Sequence, residues 1–330
     1  MSDEADDARG FGALLQRVIR WLDQFQQRHS FVGFCYAVIK KYGDDSGGRQ
    51  AALITYYGFL SIFPILLLAV VAVTNILAGD PELRSRVINS IVPAELRATV
   101  ESAVTSLPTG GLPLAVGVVG LFLSGTGVVF STQDALNQLA AVPFRRRFGW
   151  FPRYVRSLTM LVVLLVSVLL IGALTVVSAE LPDVGQAPRI ASAAGILGVC
   201  FAMLVAAPKL LIAGRKPFGA VWPGAATGAI CVTAILLVLG PLLTRFVTRS
   251  GPVYGSFATI VGLFALLYLV TQALVYSAEV AVVRHARLWP RALDITRPTA
   301  ADERALTRLA RIELRTPPQR ITVSFDADPG

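Results

Sequence analysis

Residues 250–278 read SGPVYGSFATIVGLFALLYLVTQALVYSA, 29 residues without one Asp, Glu, Lys or Arg. At about 1.5 Å per residue such a helix is about 43 Å long, more than the roughly 30 Å of a bilayer's hydrocarbon core. Five other windows share this property: 50–79, 102–133, 157–179, 190–208 and 217–244. Each comes close to or exceeds the roughly 20 residues that a spanning helix needs. The expected fold is all-α: a polytopic membrane helical bundle with six transmembrane helices and amphipathic interfacial helices. Of 330 residues, 54% are hydrophobic and 15% are charged, against roughly 25% charged in a soluble domain. Too few charges remain to coat a soluble surface, which excludes a soluble enzyme, a disulfide scaffold and a disordered protein.

Working outward, the chain divides into three parts. Residues 1–50 form an N-terminal segment, 51–283 the six-helix domain, and 284–330 a basic tail expected to be partly disordered. Phe11, Leu15, Val18, Leu22 and Phe25 recur at helical spacing, and Phe31, Phe34, Cys35 and Val38 continue the pattern. One or two amphipathic helices along the membrane interface are predicted there. Two more short ones are predicted over 81–107, and an outer turn over 249–256. The opening MSDEADD is acidic, unlike the basic start of a secretory signal, so no cleavage is expected.

Charge gives an expected orientation. Residues 1–50 hold seven Lys and Arg, 132–157 five, 209–216 three and the tail from 284 nine. The alternate segments hold three, one and two, so the totals are 24 against 6. Basic loops stay on the cytoplasmic side, which puts both termini inside. The net charge of +9 then reflects topology, and no nucleic acid is expected as a partner.

Glu279 is the one acid embedded in a predicted span, where ionisable groups are costly and often functional. It lies near the inner end, with Arg284 and Arg287 as candidate partners. Thr55, Tyr56, Ser61, Asp134, Asn137, Tyr254 and Glu279 are the candidates for a shared polar path. Pro64, Pro223, Gly224, Gly228 and Gly255 are candidates for kinks and close packing, since proline breaks a helix ladder and small residues let helices approach in lipid. Arg145, Arg146 and Arg147 are candidates for lipid head-group contact. No metal or cofactor is expected. The two histidines, His29 and His285, stand apart, and no HExxH, CxxC, P-loop or GxSxG occurs,. Cys35, Cys200 and Cys231 lack redox or zinc spacing. No enzyme activity is expected.

Four stretches together resemble one family. They are Gln50 to Tyr57 with Leu60-Ser61-Ile62-Phe63-Pro64, then Asp134-Ala135-Leu136-Asn137, then Pro223-Gly224-Ala225, and finally Tyr254-Gly255-Ser256 leading to Ser277-Ala278-Glu279. Over about 20–285 the chain resembles the YihY / virulence factor BrkB family, once labelled ribonuclease BN. The resemblance implies a six-helix protein of the bacterial inner membrane with cytoplasmic termini. It implies a transporter of an unknown solute or lipid, or a non-transporting scaffold or virulence-resistance factor. A membrane-bound ribonuclease is a remote third reading. Membrane lipids and a small solute or lipid substrate are the expected partners, and a homo-oligomer is compatible. A topology reporter fused at Pro182 is expected to read external, and one at the C-terminus internal. A cytoplasmic signal at Pro182 would overturn the orientation.

Overall fold

The computed structural model describes residue 23 and residues 26–76, 111–180, 187–214, 216–249, 251–294 and 297–325. Within these, the elements are α1 (Ser30–Asp44), α2 (Gly47–Ile76), α3 (Gly111–Leu139), a 3₁₀ turn (Phe144–Arg146), α4 (Trp150–Glu180), α5 (Ala187–Leu211), α6 (Phe218–Arg249), α7 (Gly251–Ala286) and α8 (Ala300–Arg311). No strand occurs among the described residues, so the fold is all-α. Five helices hold stretches long and apolar enough to cross a membrane: Ala115–Leu139, Trp150–Leu174, Ile190–Leu211, Phe218–Leu242 and Phe257–Ala286. The remaining expected span falls on α2, whose 30 residues include a single charge, Arg49. Its side chains from Leu68 onward lie outside the described residues, so the count of six rests on the sequence. The chain is a multi-pass membrane protein. The segments 11–22 and 81–107 lie outside the described residues, as do the side chains of Tyr254 and Gly255.

The outer turn expected over 249–256 is mostly helical, because α7 begins at Gly251 directly after α6 ends at Arg249. Pro252 sits in the first turn of α7, where its missing N–H would have had no partner anyway. The bundle is inside-out relative to a soluble protein. Phe63, Phe122, Leu169, Ile230 and Phe264 point outward and are exposed, as lipid-facing side chains should be. Trp150, Phe151 and Trp222 are exposed close to the basic end, where amphipathic rings favour the head-group level.

Small residues set the closest helix approach. A Cβ on Gly224 would lie 2.2 Å from the Ser277 carbonyl oxygen, and one on Gly228 would lie 2.6 Å from Ser277 Cβ. The first contact is backbone, so no rotamer change relieves it. Gly224 and Gly228 therefore seat α6 directly on α7. Gly120 lies against Pro64, where an added Cβ would stand 3.2 Å from the ring. Pro64 lies within α2, and Pro223 and Pro241 within α6.

The polar material gathers at one end. There α1, the 140–149 connection, the 212–217 connection and the tail meet. Helix ends leave carbonyls without intrahelical partners, and this end satisfies several with cations or amides. Lys41 Nζ donates to Leu139 O at 3.1 Å, Arg156 to Leu210 O at 3.0 Å and Asn137 Nδ2 to Leu211 O at 3.0 Å. The tail is tied in through Asp302. Its carboxylate accepts from Arg291 Nε at 2.8 Å, Lys40 Nζ at 3.0 Å and the Ala292 N–H at 2.8 Å. Thr299 and Asp302 also form a capping box at the start of α8,. Beyond α8, the Phe144 and Arg145 N–H groups donate to Ile312 O and Leu314 O at 3.1 and 2.9 Å, so residues 312–314 pair with the 3₁₀ turn.

Burial alone would raise the Asp302 proton affinity. The Ala292 N–H, Arg291 and Lys40 reverse it and hold the carboxyl well below the usual carboxylate range. A carboxyl whose affinity is lowered by folding stabilises above its unfolded pKa of about 3.9 and loses that contribution as pH falls further. Tail docking should therefore be intact at neutral pH and should loosen progressively below about pH 4. Asp302→Asn should release it at neutral pH by removing a charge from a buried cluster, at roughly 3–5 kcal/mol. Hydrogen exchange across 300–311 measures this. Unchanged protection in the variant would refute the staple.

Candidate functional site

The six long helices α2 to α7 all contribute to the wall of one cavity of about 380 Å³. That is within the roughly 300–1,000 Å³ of small-molecule sites. Along α7 its wall runs from Leu267 to His285, 19 residues or about 27 Å of helix. This approaches the thickness of the hydrocarbon core. The wall is overwhelmingly aliphatic, with Leu164, Met203, Leu204, Leu236, Val270 and Leu274 as examples.

Even the hydroxyls on the wall are turned into their own helices. Ser61 Oγ donates to Tyr57 O at 2.9 Å, Thr132 to Val128 O at 2.8 Å, Ser167 to Val163 O at 2.8 Å and Ser277 to Leu274 O at 2.7 Å. Thr55 donates to Ala51 O at 2.8 Å and meets Thr271 Oγ1 at 2.6 Å. Such back-bonding satisfies a hydroxyl locally, which leaves little polarity for a guest. Only one end differs: Lys216, His285 and Arg308 line the cavity there.

Of the seven candidates for a polar path, Thr55 and Ser61 line the cavity. Tyr56 faces outward and is exposed. Asp134 is half exposed and accepts from Arg153 at 2.9 Å. Asn137 is buried at the end of α5, where its Oδ1 accepts from the Ala213 N–H at 2.9 Å. Glu279 is fully buried but absent from the cavity wall. Its partner is neither Arg284 nor Arg287: Lys41 Nζ lies 2.9 Å from its Oε2, while Arg284 lies over the Trp222 ring. Among the arginine triplet, Arg145 donates to Pro317 O at 3.1 Å and Arg147 lies 4.1 Å above the Phe144 ring, both within the protein. Arg146 is exposed. Lys216 and Arg308 figured in the sequence only as topology charges and His285 only as an isolated histidine, so no spacing joined the three into a site. Among the described residues, no three of His, Cys, Asp or Glu gather to hold a metal.

Residues 38–300 match the virulence factor BrkB family. The chain belongs to that family. An uncharacterized protein of Dickeya dadantii strain 3937, Dda3937_02003, is 30% identical over 137 residues, 38% of this chain and 40% of the relative. Inner membrane protein YhjD of Escherichia coli K12 is 25% identical over 164 residues, 46% of this chain and 48% of the relative. The matches thus span less than half of the curated relatives' length. No solved structure matches.

The BrkB-family region begins in α1, at the helix that supplies Lys41. Lys41 Nζ donates to Asp45 Oδ2 and Leu139 O and forms an ion pair with Glu279 Oε2, a carboxylate with no hydrogen-bond partner among the described residues. One side chain thereby ties α1 to α3 and α7. The stacked rings of Tyr42 and Tyr276, 4.2 Å apart, extend the same contact. Below them Ala37, Val38 and Val283 are buried together. Two carboxylates facing one buried cation depend on that cation. In this BrkB-family protein Lys41→Met should cost about 3–5 kcal/mol, the scale of breaking a buried ion pair. Glu279→Gln should cost less, because Asp45 still neutralises Lys41. Thermal unfolding in detergent tests the order, and a Lys41→Met protein as stable as wild type would contradict the clamp.

Proposed function

We propose that this BrkB-family protein is a membrane carrier for a lipid-like molecule, seated in the bacterial inner membrane with both termini in the cytoplasm. The single observation that carries the reading is a cavity close to the length of the hydrocarbon core, with even its hydroxyls bonded back to backbone. A hydrophilic solute entering it would lose water hydrogen bonds and gain none, at roughly 2–7 kcal/mol per polar group. An acyl chain leaving the bilayer meets side chains as apolar as the lipid it left. The work is binding and movement, with no bond made or broken. Membrane lipid is the partner class, and nucleic acid has no part in it.

Orientation is supported by the basic segments converging at one end of the bundle. The inner membrane is supported by the printed name of the Escherichia coli relative. A second reading, a non-transporting scaffold or envelope factor, is favoured by a different observation. Asn137, Asp134 and Glu279 are all engaged by partners inside the protein.

Filling the cavity separates the two readings. Ala225 is buried on its wall, and Ala225→Phe should occupy space without removing any polar contact. In proteoliposomes the wild-type protein should accelerate transbilayer movement of a fluorescent lipid. The variant should fall to the protein-free rate while keeping its unfolding temperature. A wild-type protein that moves no lipid, with a cellular phenotype indifferent to the filling, would favour the scaffold.

A further inference from the structure

The cavity is asymmetric, and the asymmetry has a chemical meaning. From Leu121 and Leu236 to Leu211 and Ala220 the wall is almost purely apolar. At the basic end it meets Lys216 from the α5–α6 connection, His285 from the last turn of α7 and Arg308 from α8. Three separate elements thus bring cations or a cation-forming ring to one mouth. None of the three makes an ion pair among the described residues. The acid that acts on Arg308 electrostatically is Asp45, which Lys41 already holds.

Arg308 shows how incomplete this end is. Its Nη2 donates to Ala140 O at 3.3 Å, but its Nε is buried with no hydrogen-bond partner. Burial, and then the nearby charge of Arg308, lower the proton affinity of Lys216. Two like charges so placed repel each other, and an anion between them would remove both the repulsion and the orphaned donor. An apolar chamber capped by converging cations has the polarity pattern of an anionic amphiphile.

We infer that the cavity binds an amphiphile whose phosphate or carboxylate head group carries a net negative charge with no cation of its own, its acyl chain among the α2–α7 walls and its head group at Lys216, His285 and Arg308. This rests on the carrier reading above and names its substrate class. It also gives the tail helix α8 a role, since α8 supplies Arg308 and the Asp302 staple holds α8 in place.

The test uses the full-length protein in a neutral detergent. Phosphatidylglycerol and phosphatidylcholine, each with the same photoreactive group at one acyl terminus, are crosslinked and the labelled peptides mapped. Phosphatidylglycerol should label the wall around Leu121 and Leu236 about tenfold or more above phosphatidylcholine, the scale of one charge-assisted hydrogen bond. Lys216→Gln with Arg308→Gln should bring the ratio close to one while keeping wall labelling. Arg304→Gln with Arg311→Gln, an equal charge loss at exposed positions of α8, should leave the ratio as in wild type. Inorganic phosphate at millimolar concentration should not compete.

Equal labelling by both lipids in the wild-type protein, or a preference that survives the double substitution, would overturn the head-group assignment and leave the carrier reading standing. Competition by phosphate alone would assign the site to a free anion and overturn the amphiphile. No wall labelling by either lipid would overturn the carrier reading together with this one.

Discussion

Hydrocarbon accepts neither a charge nor an unpaired backbone group, and this constraint shapes the whole molecule. It forces the membrane part into helices. It leaves Gly224 and Gly228, not a hydrophobic driving force, to set how closely α6 and α7 meet,. It also drives the ionic groups to one end, where they solve a local problem. The last carbonyls of α3 and α5 have no intrahelical partners, and Lys41, Arg156 and Asn137 supply donors to them. Cations near helix C-termini are favourable for the same reason. Topology signal and structural cap are therefore the same residues viewed at two levels.

That double use explains what could be read from the sequence. Five apolar spans, the gathering of basic segments and the family were all legible, because each depends on composition over long windows. Glu279 stood out for the same reason, as a single acid in an apolar run. Its partner did not. Arg284 and Arg287 were close in sequence, whereas Lys41 is 238 positions away and reaches Glu279 only once α1 packs along α7. Likewise Asp134 and Asn137 share a helix face in sequence, but one meets Arg153 and the other caps α5. Pairwise contacts across helices are set by packing, which a periodicity argument does not contain.

The cavity was illegible for a related reason. Its polar end joins Lys216, His285 and Arg308 from three elements, and no spacing connects them. The hydroxyls misled in the opposite direction. Thr55 and Ser61 looked like polar lining and do stand on the wall, yet their hydrogen bonds run back to Ala51 and Tyr57. In water a serine advertises polarity. In a helix surrounded by lipid it satisfies itself on the preceding turn and presents mostly carbon.

Helix α7 joins the two halves of this account. Tyr276, Glu279, Val280 and Val283 recur at intervals of three, one and three and face α1, where the Lys41 clamp and the Tyr42 stack hold them. Ser277, Ala278, Ala281, Val282 and His285 lie on the opposite stripe and line the cavity. One face is fixed by buried charge and the other lines the cavity. A rigid helix cannot tilt to open the cavity without shearing the Lys41 contacts, so any movement of α7 that widens the chamber must carry α1 with it. The same reasoning extends to α8, whose Arg308 reaches the mouth while its Asp302 is bound to Arg291 and Lys40. The cavity's basic end is thereby built from parts tied to α1, and α1 is where a change in the surrounding interface would be felt first.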